Sequence, residues 1–430
     1  MFEITVEIYM RNQKKKPGKR PLKRINRKTM LVTLLAVSIA LILLSIAVAG
    51  HQQPASTVTI DLSSPQMTSQ FLLGATFIQL DNHLNNPREI QLMANGLGYL
   101  NTFIYGWGTD NPEPAPGQYD WSSLDQRVQI MSQAKTRMII SLCCAPDWMK
   151  SDNNINTAPD PQNYADFAQL SQQVAQRYPD VKYFQVWNEL KGFNGNTDGY
   201  MQMYNMVYDA VKSVRPDALI GGPYIGMGPA DIPNPVVTQW LNTRHGGNFV
   251  AVDGGFDSSS PAQDFSGAQF YTDFASWLRR QPNGGATLPF GWAEWYPGTT
   301  TGWNDINHFN ATMTNAMIYT LQSGASYALL WGVEGGVTGV YREGDGQQEN
   351  LVDNGDPTPF YHSAQAFKDY FGPGTKIYKV TQSPPDVTVL ASLAKTMLVN
   401  HLNAAQTLNV NGKTVALTPY QVLVINTPRG

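Results

Sequence analysis

From Phe71 to Phe371 one unit recurs along the chain: a short apolar run, a loop, then apolar residues at helical spacing. The apolar runs begin near residues 71 (FLLGATFI), 99 (YLNTFIY), 137 (RMIISLCC), 182 (KYFQVWNE), 218 (ALIGG), 249 (FVAVDG), 288 (LPFGWAEW) and 326 (SYALLWG), about 28 to 45 residues apart. Such a step fits a strand with its crossover helix. Ser122 with Asp125 three residues on reads as a capping box, opening a helix with Leu124, Val128 and Met131 on one face. Tyr164, Phe167, Leu170, Val174 and Tyr178 repeat at threes and fours, as do Phe270, Phe274, Trp277 and Leu278, then Met313, Met317 and Leu321 before Gly324. Eight strands alternating with helices predict an α/β fold, a parallel (β/α)8 TIM barrel. An open doubly wound sheet would want a glycine-rich phosphate loop after an early strand. The chain contains no G-x-G-x-x-G, and Gly221-Gly222 and Gly254-Gly255 read as turns.

The ends of the chain differ from its middle. Beyond Phe371, KIYKV, VTVLAS, TMLVNH, TLNVN, TVALT and YQVLVIN read as short alternating strands, with Asn411-Gly412 as a tight hairpin turn. Residues 373–430 are thus expected to form a small antiparallel, sandwich-like β domain, following a barrel domain over 58–372. The strand near Val58 is expected to join the β domain, since it has no other partner. Residues 1–29 are a basic segment: ten Lys and Arg stand against Glu3 and Glu7, in a chain whose net charge is -3. Met30 to Ala49 follows, interrupted only by Thr33, Ser38 and Ser45. At ~1.5 Å per residue such a helix spans ~30 Å, the thickness of a bilayer core. The positive-inside rule then leaves the basic segment in the cytoplasm and, past a linker at 50–57, exports the rest. The stretch reads as a membrane anchor, holding an extracellular domain at the cell membrane. The alternative is a signal peptide cleaved after Ala47-Val48-Ala49, which gives a secreted protein.

Charged residues make up 15% of the chain and aromatic ones 11%. A weakly charged, aromatic-rich surface suits a neutral polyhydroxylated ligand and excludes nucleic acid as a partner. The cysteines, Cys143 and Cys144, are adjacent. On a strand they point to opposite faces, so they are expected to be reduced core residues. The six histidines form no cluster, and neither a metal site nor a cofactor is expected.

Functional groups of such a barrel sit at the C-terminal ends of its strands. The fourth strand ends Val186-Trp187-Asn188-Glu189 and the seventh ends Trp292-Ala293-Glu294-Trp295. Each Glu closes an apolar run, where a carboxyl is costly unless paired or functional. Strands four and seven face each other across the barrel mouth. Two carboxyls there meet the requirement of glycosidic cleavage, one donating a proton and the other attacking the anomeric carbon. Asn188 is a candidate donor to a sugar hydroxyl. Trp148, Trp292, Trp295 and Trp331, with Trp187 and Tyr296, offer flat faces for sugar rings. Asp147 and Glu334 also end strands, and would bind hydroxyls or hold loops.

FQVWNELKGF and FGWAEWYPG resemble the strand-four and strand-seven motifs of clan A glycoside hydrolases, and Leu73-Gly74-Ala75 resembles their first strand. The nearest match is family 39, the β-xylosidase and α-L-iduronidase type. The resemblance implies retaining hydrolysis, with Glu189 as acid/base and Glu294 as nucleophile, on extracellular oligo- or polysaccharide. Three departures stand against it: no Arg in Leu100-Asn101-Thr102-Phe103, Val252-Asp253-Gly254-Gly255-Phe256 in place of a His-x-Tyr, and Leu190 in place of a Pro. A non-catalytic carbohydrate-binding barrel and a transglycosidase are the alternatives.

Overall fold

The computed structural model describes residues 56–76, 87–301, 304–332, 352–353 and 356–429. Among these no helix is long and apolar enough to cross a membrane. The Met30–Ala49 stretch and Glu334 lie outside the described residues.

Eight parallel strands close into a barrel. After β1 (Ser56–Thr68) they are β2 (Leu72–Thr76), β3 (Tyr99–Phe103), β4 (Arg137–Leu142), β5 (Tyr183–Val186), β6 (Leu219–Met227), β7 (Phe249–Phe256), β8 (Phe290–Pro297) and β9 (Tyr327–Trp331). Helices cover the barrel, so its strands are buried on both faces, which is why they read as continuous apolar runs. Tyr99, Tyr183, Phe249 and Tyr327, from alternate strands, meet as one layer of rings with centroids 5.3 to 6.1 Å apart. The layer explains Gly221, which lies within β6 and not in a turn: a Cβ there would come within 2.1 Å of the Phe249 ring. Gly254-Gly255 likewise belongs to β7, where the Trp292 ring fills the space a Gly254 Cβ would need. Nearer the mouth a buried polar chain crosses the barrel. Asn101 Nδ2 donates to Thr76 Oγ1 at 2.9 Å, Ser141 Oγ to Asn101 Oδ1 at 3.1 Å, Gln185 Nε2 to Ser141 Oγ at 3.1 Å, and Tyr327 OH to Gln185 Oε1 at 2.8 Å.

The first helix-opening signal is displaced by two residues. Ser122 is already the first helical residue, so its side chain cannot cap; Asp120 Oδ1 accepts from the Ser122 amide at 3.0 Å instead. Asp125 turns outward to accept from Arg177 Nε at 2.8 Å and Tyr178 OH at 2.9 Å. The cysteines also differ from expectation. The peptide between Cys143 and Cys144 is cis, the Cα atoms are 3.0 Å apart, and the two sulfurs are joined as a disulfide. Opposite-face geometry holds only for a trans strand, which this segment is not.

β1 and six C-terminal strands form a seven-stranded sheet in the order Lys413–Leu417, Gln406–Val410, β1, Lys376–Gln382, Val387–Ala391, Lys395–Asn400, Val422–Asn426. β1 lies antiparallel to Lys376–Gln382 and parallel to Gln406–Val410. Val58, Ile60, Leu398, Leu408 and Val410 make the sheet's own core, while Leu390, Met397 and Val399 pack into the barrel's. The helix Ile306–Gln322 runs between sheet and barrel and is buried along nearly its whole length, with Asn315 Oδ1 accepting from Thr388 Oγ1 at 2.6 Å.

Candidate active site

The site is built where β5 and β8 end. β5 stops at Val186, and the chain then turns sharply, with left-handed backbone at Trp187, Glu189 and Leu190 (φ 75°, 49° and 53°). Non-glycine residues adopt that region at a cost, and such positions cluster at functional sites. The turn is held from several sides. Tyr200 OH donates to Val186 O at 3.2 Å, the Lys191 amide to Asn188 O at 3.1 Å, and Trp187 Nε1 to Lys191 O at 2.9 Å. These contacts send the Trp187 ring outward, between Phe167 and Phe193. They leave the Glu189 carboxyl half-buried, ion-paired with Lys191 and packed over Gly226 of β6.

Glu294 has a different setting, 5% exposed within β8. Tyr224 OH from β6 donates to its Oε1 at 2.9 Å, and Tyr296 OH donates to its Oε2. Burial pushes the Glu294 carboxyl up, and the negative charge of Glu189 adds to it, against the two tyrosine hydrogen bonds and Lys191; the result is about 7. The charge of Glu189 reaches Glu294, and Lys191 faces both, so the two glutamates share one site. Asp253 of β7 joins them, 1% exposed and pushed well above the usual carboxylate range by burial and by both glutamates.

The aromatic candidates divide. Along β8 simple alternation would put Trp292 on the face of Glu294. A register shift intervenes: Val252 pairs with Trp292 and Asp253 with Glu294, so Ala293 is an extra residue. The bulge turns Trp292 toward the helices, where alternation already places Trp295. Trp292 is fully buried against Phe270, Tyr271 and Phe274, and Trp295 is 1% exposed, with Nε1 donating to Thr320 Oγ1 at 3.2 Å. Neither can meet a ligand at the mouth. Trp331, half-buried at the end of β9, packs edge-on to Phe103 and Trp107, with centroids 5.9 and 5.5 Å away. Phe103 in turn lies 6.4 Å from the Tyr224 ring, so Trp331 and Trp107 belong to the wall beside Glu294. Trp148 is held to the loop after β3, Nε1 donating to Glu113 O at 2.9 Å. Asp147 accepts a hydrogen bond from Tyr105 of that loop and is ion-paired with Lys150 of its own segment at 3.0 Å. Asn188 is 2% exposed, and its Oδ1 is buried without a hydrogen-bond partner among the described residues.

Tyr224, Tyr296 as a clamp, Lys191, Asp253 and Trp107 were not among the sequence candidates. There Tyr296 stood only as a flat face for a sugar ring, and Asp253 only as a departure from a motif. Among the described residues no group of His, Cys, Asp and Glu is arranged to hold a metal ion.

No protein-family model matches the sequence, and no curated protein matches it. Solved structures do. SrfJ from Salmonella typhimurium matches with a TM-score of 0.64 at 13% identity, over 88% of this chain and 94% of that one. A family 39 glycoside hydrolase from Bacteroides cellulosilyticus WH2 gives 0.63 at 14% identity, over 84% and 80%. A monomeric β-xylosidase from Caulobacter crescentus CB15 gives 0.58 at 16% identity, over 80% and 77%. The chain therefore has the fold of the clan A glycoside hydrolases. Several of the solved structures that share this fold are family 39 enzymes.

Proposed function

We propose that this protein is a retaining glycoside hydrolase acting on extracellular oligo- or polysaccharide, with Glu294 as nucleophile and Glu189 as acid/base. The observation that carries this reading is the clamp on Glu294. Two tyrosine hydroxyls, one on each carboxylate oxygen, favour its ionised form and fix its direction, which is what a nucleophile needs. Glu189, on the more open side, suits a group that must give a proton and later take one back.

Glu294 attacks the anomeric carbon while Glu189 protonates the leaving oxygen. Water then attacks the glycosyl ester as Glu189 removes its proton, restoring both groups. Asn188 Oδ1 needs a donor, and a sugar hydroxyl supplies one. Trp331, with Trp148 further out, is proposed as a ring-stacking surface. The structural likeness to β-xylosidases makes a xyloside the first substrate to try, and Met30–Ala49 is proposed to hold the catalytic part outside the membrane.

The test is a screen of nitrophenyl xylosides, glucosides, arabinosides, galactosides and uronides, with the product anomer followed by NMR. A 2-fluoro glycoside of the substrate found should label Glu294. Inverted product, or label on another residue, sinks the proposal.

A further inference from the structure

Beside the two glutamates, the double displacement leaves the buried Asp253 without a task. No donor among the described residues reaches either carboxyl oxygen of Asp253. Its strand places it deliberately: in β7 it pairs across from Glu294 on one side and from Gly226 on the other. At Gly226 a Cβ would stand 3.2 Å from Glu189 Oε1, so the absent side chain opens a path between the two acids. Gly226 thus neighbours Asp253 in the sheet and the Glu189 carboxyl above it, which brings the two acids together. Two ionised carboxylates offer only acceptors and repel. Such a contact is stable only with a proton in it.

The other groups around Asp253 do not remove that requirement. Glu294 and Tyr296 face it from β8, Tyr224 from β6 and Tyr327 from β9, while Lys191 approaches from the turn after β5. Lys191 is the one cation among these, and it is already ion-paired with Glu189. Burial and the two glutamate charges outweigh it and hold the Asp253 carboxyl well above the usual carboxylate range.

On the reading of Glu189 as acid/base, we propose that Asp253 and Glu189 share a single proton, and that this pair supplies the proton taken by the leaving oxygen. Asp253 is then a positioning residue acting through Glu189. The balance closes without any further reactant. Before attack, Glu294 is ionised and the pair holds one proton, a total of two negative charges. In the intermediate Glu294 is a neutral ester, the pair has given its proton to the leaving alcohol, and both its members are ionised, again two negative charges. Attack by water breaks the ester bond, returns Glu294 to its carboxylate, and sends the water proton back to the pair. The site thus passes charge from one wall to the other with no net change, which a buried cavity favours.

The test has two arms. With carboxyl-13C-labelled aspartate in the full protein, one signal should stay protonated at neutral pH. It should vanish in Asp253→Asn and titrate at a changed pH in Glu189→Gln. In kinetics, Asp253→Asn leaves Glu189 to lose its proton without creating a like-charged neighbour. The basic limb of kcat/KM should therefore fall by at least about one pH unit on substrates with poor leaving groups, with little change on nitrophenyl glycosides. An Asp253 signal already ionised near pH 6, or a basic limb that does not move, overturns the shared proton. The titration needs no turnover: a shared proton in a protein inactive on all glycosides sinks the glycosidase reading instead.

Discussion

The turn that carries Glu189 and the strand that carries Glu294 hold their carboxyls by opposite means. Glu294 sits inside a paired strand, nearly closed off from solvent, with a tyrosine on each oxygen. Glu189 stands on a turn with left-handed backbone at three of four consecutive residues, and its contacts are an exposed lysine and a second acid. A nucleophile must arrive at one carbon along one line, so rigidity serves it. A proton carrier must exchange with substrate and water, so access serves it. The difference in mounting therefore argues for the assignment of roles, independently of which strand each residue ends.

The largest effect that can break this contrast is loss of turnover in Glu294→Gln. Without a nucleophile no glycosyl ester forms, whatever the leaving group, and kcat/KM should drop on the order of 10⁴–10⁶-fold on natural and nitrophenyl glycosides alike. Glu189→Gln should depend on the substrate. A natural glycoside should lose ~10²–10⁴-fold, while a nitrophenyl glycoside should keep most of its first step, accumulate the ester and be accelerated by azide. Azide rescue of Glu294→Gln to retained product, with Glu189→Gln inert on everything, would reverse the two roles.

The next effect is on stability. Burial raises Glu294 from 4.5 to about 7, so the folded state holds that proton more tightly than the unfolded chain does. A raised carboxyl stabilises the fold fully below the unfolded value. That contribution is lost as pH rises through the folded one. The cost of ionising Glu294 above that window is at most about 3.5 kcal/mol, at ~1.4 kcal/mol per unit. Glu294→Gln cannot ionise and escapes it. Measured by denaturant unfolding, the variant should gain on the wild type between about pH 5 and pH 8. A difference that stays flat with pH would mean that Glu294 is not held up by its burial.

The barrel was legible because each of its strands is buried on both faces and punctuated by loops, so eight apolar runs stand out at regular intervals. The two glutamates were legible for the same reason: each interrupts an aromatic run that has no other use for a charge. What failed was side-chain direction. Alternation predicts that Trp292 shares the face of Glu294, and the extra residue at Ala293 reverses that. Tyr224 follows a similar irregularity, a register shift between Pro223 and Gly226. Nothing in a run of apolar letters announces which tyrosine turns inward. Asp253 was visible only as a departure from a motif, since its neighbours come from four other segments of the chain.

The smallest effect separates the two halves of the clamp on Glu294. Both hydroxyls favour the carboxylate, so Tyr224→Phe and Tyr296→Phe should each push Glu294 above about 7. The nucleophile must be ionised, so activity disappears as pH falls through that value, and the acidic limb of kcat/KM should move to higher pH in both variants. A hydrogen bond to a charged group is worth about 1.5–3 kcal/mol, which sets the ceiling at roughly 10- to 100-fold below the limb. The two should differ in how much of that is realised. Tyr224 is fully enclosed, and no water can replace its hydroxyl. Tyr296 is 37% exposed, and water entering beside the new phenylalanine can restore part of its bond. Tyr224→Phe should therefore approach the ceiling, and Tyr296→Phe should stay several-fold short of it. If the order is reversed, the mouth of the site is drier than the exposure of Tyr296 implies. If neither limb moves, the tyrosines do not hold the nucleophile at all, and the contrast between the two mountings loses its strongest support.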